Sequence, residues 1–116
     1  MKYLLLLFDD EQAWSTRPAE DQSAMMAGHE AFGRDLHAVG AYVAGEALQP
    51  VATATTIRVS DGKALVSDGP FAETKEQLGG FYMIDVADLD EALKWGSRVA
   101  EFNGGSVEVR PVWEFA

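Results

Sequence analysis

The chain has 116 residues, 47% of them apolar and 24% charged, with no cysteine and a formal net charge of −10. One domain with a real core fits this length, and the absence of cysteine rules out a disulfide framework, a thiolate nucleophile and a thiolate metal site. The acidic balance and the scattered Lys and Arg argue against nucleic acid or an anionic membrane as partner, since both select clustered basic side chains.

The N-terminal run Lys2–Phe8 (KYLLLLF) is continuously apolar but too short for a signal-peptide core or a bilayer span. It reads as a strand covered on both faces, in a protein expected to be cytoplasmic. Asp9 to Arg17 is polar and reads as a loop. Pro18 suits a first helical position, and a helix should run to about Val39, with Met25, Phe32, Leu36 and Val39 on its inward stripe and His29 beside them. Gly40 stops it.

Ala41–Leu48 reads as a strand, with Gly45 a bulge or a point of close approach. Thr53–Ser60 is β-branched and alternating, Asp61-Gly62 is a two-residue hairpin signal, and Lys63–Val66 returns. Gly80–Val86 is a second strand apolar on both sides, with Phe81 and Met83 facing away from Tyr82 and Ile84. Asp88 and Glu91 open a helix whose inward stripe is Leu89, Ala92, Leu93, Gly96, Val99 and Ala100. Asn103-Gly104-Gly105 ends it, and Val107–Phe115 is a last strand, placed at an edge by Pro111.

The order β-α-β-β(-β)-β-α-β predicts an α+β domain, a ferredoxin-like sandwich with an inserted β-hairpin. That plan puts the first and third core strands at the centre, where Lys2–Phe8 and Gly80–Val86 fall. Two helices cover only one face of such a sheet. The other face is then expected to pack against a second copy, sheet to sheet, as a dimeric α+β barrel.

The densest chemistry lies between Ser67 and Gly80, SDGPFAETKEQLGG. A loop of this kind is where function concentrates, and it is expected to wall an acidic cleft. Asp68 reads equally as a turn former and as a general base. Phe71 reads as a core plug or pocket wall, Glu73 as a second acidic site residue, and Lys75 as a charge clamp whose proton the neighbouring anions hold. Glu46, beside Gly45, would need Lys75 or Arg58 as partner and so could join the site. His29 is a core histidine unless Asp68 comes within hydrogen-bond reach, in which case the pair is an acid–base dyad. His37 reads as an exposed cation at a helix end, and Arg58 and Arg110 as partners of Glu108 or Glu114. The two histidines, eight apart, lack metal spacing, and no nucleotide or serine-hydrolase motif is present, so neither metal nor cofactor is expected.

Asp68-Gly69-Pro70-Phe71-Ala72-Glu73-Thr74-Lys75-Glu76, with Gly79-Gly80-Phe81-Tyr82 behind it, resembles the signature of the DGPF group of YCII-related proteins. Ala44-Gly45-Glu46-Ala47-Leu48 and Gly105-Ser106-Val107-Glu108-Val109-Arg110-Pro111-Val112 agree with it, so the likeness runs from end to end. The resemblance implies a ferredoxin-like dimeric barrel in a cytoplasmic bacterial protein. Relatives are often encoded near extracytoplasmic-function sigma factors. Some YCII-like relatives have been proposed as enzymes because a histidine, here matched by His29, approaches an aspartate in a dimer-interface cleft. Two functions follow as expectations: a homodimeric binder of an unknown small molecule, using Asp68, His29, Glu46, Phe71, Glu73 and Lys75, or a non-catalytic module associating with a sigma factor. The second would expose aromatics such as Trp14 or Trp95 outside the core.

Overall fold

The computed structural model describes residues 1–115. Its elements are β1 (Lys2–Asp9), α1 (Glu11–Thr16), α2 (Ala19–Ala38), β2 (Tyr42–Ala47), β3 (Thr55–Ser60), β4 (Lys63–Asp68), β5 (Gln77–Asp85), α3 (Leu89–Asn103) and β6 (Ser106–Pro111). Four strands form an antiparallel sheet in the order β2-β5-β1-β6, while β3 and β4 form a separate two-stranded ribbon. This is an α+β fold compatible with the ferredoxin-like plan. The two runs apolar on both sides, β1 and β5, occupy the centre.

Alternation along β1 divides its side chains between the faces. Tyr3, Leu5 and Leu7 are buried under the helices with Phe32 and Leu36 of α2, Ala92 and Val99 of α3, and Ile84 of β5. Leu4 and Leu6 point the other way, cross-strand from Met83 and Phe81, and remain only partly covered. Gly96 lets α3 lie close on the sheet, because a Cβ there would meet the Val109 side chain at 2.9 Å. Asp88 caps α3 by accepting from the Glu91 N–H at 3.0 Å. The Asp61-Gly62 turn has positive φ at both residues, 51° and 75°, as a two-residue hairpin with the right-handed strand twist requires.

The structure corrects several expectations. Asp10 to Arg17 is not loop: Asp10 caps a short helix by accepting from the Gln12 N–H at 3.0 Å. Pro18 precedes the first residue of α2 and does not occupy it. Val39 and Leu89 are exposed because they stand at helix ends, Val39 as the C-cap of α2 and Leu89 as the first residue of α3, and Leu93 is exposed because the covered row of α3 runs through Ala92, Gly96 and Val99. β5 begins at Gln77, and its register against β1 slips between Leu7 and Phe8, leaving Gly79 unpaired. β6 stops at Pro111, and Trp113 and Phe115 beyond it are exposed and stacked 5.9 Å apart.

Candidate functional site

A cavity of about 570 Å³ opens where α1 and the N-terminal half of α2 meet the ends of β2 and β5. Its size falls within the usual range for small-ligand sites. Leu7, Trp14, Met25, Met26, Leu48 and Pro50 supply most of its apolar wall, and Asp9, Glu11, His29, Gln77, Tyr82 and Asn103 its polar groups; Glu46 borders it from β2, where it is exposed and pairs with Phe81. A second hollow lies along α3 between Asp90, Lys94, Arg98 and Glu101, but one helix walls it and it is open to solvent.

The centre of the first cavity is a contact between α2 and β5. His29 Nδ1 lies 2.7 Å from the Tyr82 hydroxyl. Phe102 packs edge-on against the imidazole at 4.8 Å, and Phe32 packs against the Tyr82 ring at 4.8 Å. Gly45 makes room for that ring, since a Cβ there would meet Tyr82 Cδ1 at 2.9 Å. The close approach expected of Gly45 therefore serves the tyrosine. Burial lowers the His29 pKa, so the ring is neutral at pH 7. Burial, helped by Tyr42, raises the Tyr82 hydroxyl to about 12, so it keeps its proton. One proton is therefore shared between Nδ1 and the hydroxyl, and Nε2 has no hydrogen-bond partner among the described residues.

On the opposite wall, Asp9 holds Arg17 through both carboxylate oxygens, at 2.9 Å and 2.8 Å, with both side chains about one-fifth exposed (21% and 22%). This pair raises the Arg17 pKa, Asp9 being the largest cause, and it cancels the Asp9 charge. Glu11 Oε1 accepts from the Val51 N–H at 3.0 Å, and the Glu11 N–H donates to Gln77 Oε1 at 3.0 Å. Gln77 Nε2 in turn donates to the Thr74 carbonyl at 2.6 Å. The start of α1, the turn after β2 and the entry to β5 are thus tied together around the cavity.

The YCII-related domain family matches the chain over residues 1–116. The chain belongs to the YCII-related family. It is also similar to an uncharacterized protein of Rhizobium meliloti (strain 1021), 45% identical over 121 residues that cover 97% of this chain and 92% of that protein. Among the described residues, no helix of this YCII-related chain is long and apolar enough to cross a membrane, and no three His, Cys, Asp or Glu side chains converge as a metal ion would require.

The DGPF stretch of the YCII-related domain is divided between two places. Its second part, Gln77, Gly79 and Gly80, lines the cavity, and so do His29 and Glu46. Its first part continues the β3–β4 ribbon. Asp68 pairs in register with Thr55 and is exposed, and Phe71 is 78% exposed. Glu73 and Lys75 are exposed too, and none of these four lines the cavity. The turn is held without the Asp68 carboxylate: Gly69 N–H to Ala54 O at 2.7 Å, Thr56 Oγ1 to Gly69 O at 2.7 Å, and the Arg58 guanidinium to Phe71 O at 2.9 Å. His29 meets Tyr82, not Asp68. Arg110 pairs with Glu108 as expected, whereas Arg58 serves the turn. His37 is exposed in the last turn of α2, stacked on Tyr42 at 4.1 Å.

Sequence reasoning missed Tyr82, Asp9, Glu11, Trp14 and Gln77 as members of one site. For Tyr82 a signal existed: its hydroxyl needs a partner when buried, and it lies on the helix-facing side of a central strand. The acidic pair Asp9 and Glu11 directly after a buried strand was a second.

Proposed function

We propose that this protein is a homodimeric small-molecule-binding protein acting in the cytoplasm, with the cavity at His29 and Tyr82 as its ligand site and proton transfer as the chemistry open to it. The observation that carries the reading is the 2.7 Å contact between a neutral imidazole and a protonated phenol on the wall of an apolar cavity. Such a pair can take a proton at one atom and give one at another. Burial lowers the imidazole pKa, so at neutral pH the ring is unprotonated, as a general base needs to be. Soaking a crystal with a fragment collection tests the site: density beside His29 supports it, and fragments found only elsewhere reject it.

The dimer belongs to the same reading. The face of the sheet opposite the helices carries Leu4, Leu6, Phe81 and Met83, all partly exposed. Covering it with a second copy gains about 25 cal/mol per Å² of apolar surface and completes a ferredoxin-like dimeric barrel. The β3–β4 ribbon is almost wholly exposed in one subunit. Asp68, Phe71, Glu73 and Lys75 enter a site only if that arm reaches a second copy. Equilibrium sedimentation returning a monomer at micromolar concentration refutes this assembly.

A second reading, a module that binds another protein such as a sigma factor, draws on the aromatics left in solvent. Trp113 and Phe115 are more than four-fifths exposed at 81% and 86%. Trp14 lines the cavity, and Trp95 packs on Phe32, so the aromatics first expected to carry such an interface are in use. A pull-down with a sigma factor that recovers nothing removes this alternative.

A further inference from the structure

Resting on the reading of the cavity as the ligand site, we propose that α1 and the N-terminal part of α2, residues 10–27, form a lid over it that opens as one body, with the Arg17–Asp9 pair as its latch.

The burial pattern sets this wall apart. Trp14, Met25 and Met26 of the apolar lining come from this stretch, yet every residue from 10 to 27 is exposed or only partly covered. Other walls belong to elements rooted in the core: β1 through Tyr3, Leu5 and Leu7, β5 through Ile84, and the second half of α2 through Phe32 and Leu36. The boundary is Gly28, where α2 rests directly on α3, since a Cβ there would meet the Phe102 ring at 2.7 Å. After proline, glycine is the weakest helix former, so the helix yields most readily at that point. His29 follows on the fixed side, and displacing the lid uncovers its contact with Tyr82 without breaking it. No core side chain is exposed by the movement, which is the condition for a local opening far cheaper than global unfolding.

The stretch also holds together. Gln22 Nε2 donates to the Trp14 carbonyl at 2.9 Å and to the Arg17 carbonyl at 3.3 Å, which joins the start of α2 to α1. Its attachments to the body are polar. Glu11 binds the Val51 N–H and Gln77 at one end of α1, and Arg17 grips both oxygens of Asp9 at the other. Arg17 also lies against the C-cap of α3, where a Cβ on Gly104 would meet its guanidinium at 2.9 Å, and 5.8 Å from the centre of the Trp14 ring. One side chain thus touches the end of β1, the end of α3 and the lid's own tryptophan.

Hydrogen exchange on the full, ligand-free chain at pH 7.5, with and without about 1 M urea, tests the motion. Amides 15–17 and 23–27 are expected to share one protection factor, about tenfold or more below that of β1 and β5. They should respond little to urea, because the opening exposes little surface. Arg17→Gln removes the charge of the latch and should lower lid protection about tenfold at unchanged urea dependence. Arg17→Lys keeps the charge without the two-pronged grip and should fall between. Three results each overturn the lid: amides 15–17 and 23–27 exchanging with the protection and urea dependence of β1 and β5, the two groups exchanging independently, or Arg17→Gln leaving their protection unchanged. No ligand enters the measurement, so any of these leaves the cavity as the site, whereas crystal fragments found only away from His29 reject the site and the lid with it.

Discussion

Tyr82→Phe is the sharpest probe of the site, because it removes one oxygen and leaves the ring. The packing of Phe32 against that ring at 4.8 Å, and the fit over Gly45, are kept. What is lost is the 2.7 Å contact to His29 Nδ1. Leaving a buried polar atom without its partner costs about 1–3 kcal/mol, and water in the adjoining cavity can offset part of that, so the lower half of the range, about 1–2 kcal/mol, applies. For a chain of this size the melting midpoint should drop by roughly 4 °C per kcal/mol. Urea unfolding at pH 8, where His29 is neutral, should show a lower midpoint at unchanged slope. A double-mutant cycle with His29→Gln isolates the pair, and a coupling of about 1 kcal/mol is expected. A loss below about 0.5 kcal/mol together with no coupling would show that the two side chains are neighbours without a bond between them, and the acid–base reading would fall with it.

Four further outcomes follow from the same geometry. Because burial holds the His29 pKa below its ordinary value of about 6.5, the unfolded chain binds the proton more readily between the two values. Its contribution to stability is therefore complete above pH ~6.5 and is lost as pH falls through the folded pKa; pH-dependent urea titrations should show this slope in the native protein and less of it in His29→Gln. Gly105→Ala should cost about 3 kcal/mol or more in the same assay, since a Cβ there would collide with the Phe8 carbonyl, a backbone atom that cannot move aside. Asp68→Asn should change stability by less than about 0.5 kcal/mol, because the Asp68 side chain is exposed and the turn is held by Gly69, Thr56 and Arg58; a larger loss in thermal unfolding would give its carboxylate a structural role. Phe81→Lys, on the uncovered sheet face, should convert the proposed dimer to monomer in equilibrium sedimentation, and an unchanged mass would place the interface elsewhere.

The fold was legible because each of its decisions is local. Two strands apolar on both sides must be central, Asp61-Gly62 can close only a tight hairpin, and Asp88 three residues before Glu91 starts a helix. The errors came at ends and edges. Arg17 reads as a polar loop residue, yet it lies folded against Asp9, and no periodicity predicts an ion pair spanning eight residues. Val39 continues the inward row but is the cap beyond α2, and Leu93 stands one position off the covered row of Ala92, Gly96 and Val99.

The site was harder for a different reason. Sequence inspection rewards residues that are dense along the chain, and the stretch from Asp68 to Glu76 is dense. A binding site, however, is a convergence in space, and the cavity here draws on Asp9 and Glu11, on His29, on Gly45 and Glu46, and on Gln77 and Tyr82, from four separate stretches. The DGPF turn spends its specific groups on itself: Gly69 takes the positive φ of 95°, and Thr56 and Arg58 bind its carbonyls. A turn built that firmly, yet carrying a Phe71 that is 78% exposed, holds an apolar side chain out in solvent. Cavity and arm are then parts of one design only if a second copy joins them. The arm's own chemistry says what to look for: Ile57, Val59 and Val66 share one exposed face of the ribbon by register, and an isolated two-stranded ribbon is marginal in water unless such a face is covered. Hydrogen exchange supplies the discriminating observation. Amides of β3 and β4 protected to the same degree as those of β5, with the protection lost on dilution, would mean that a partner covers the ribbon; exchange at the rate of an open chain at every concentration would mean that it stands free.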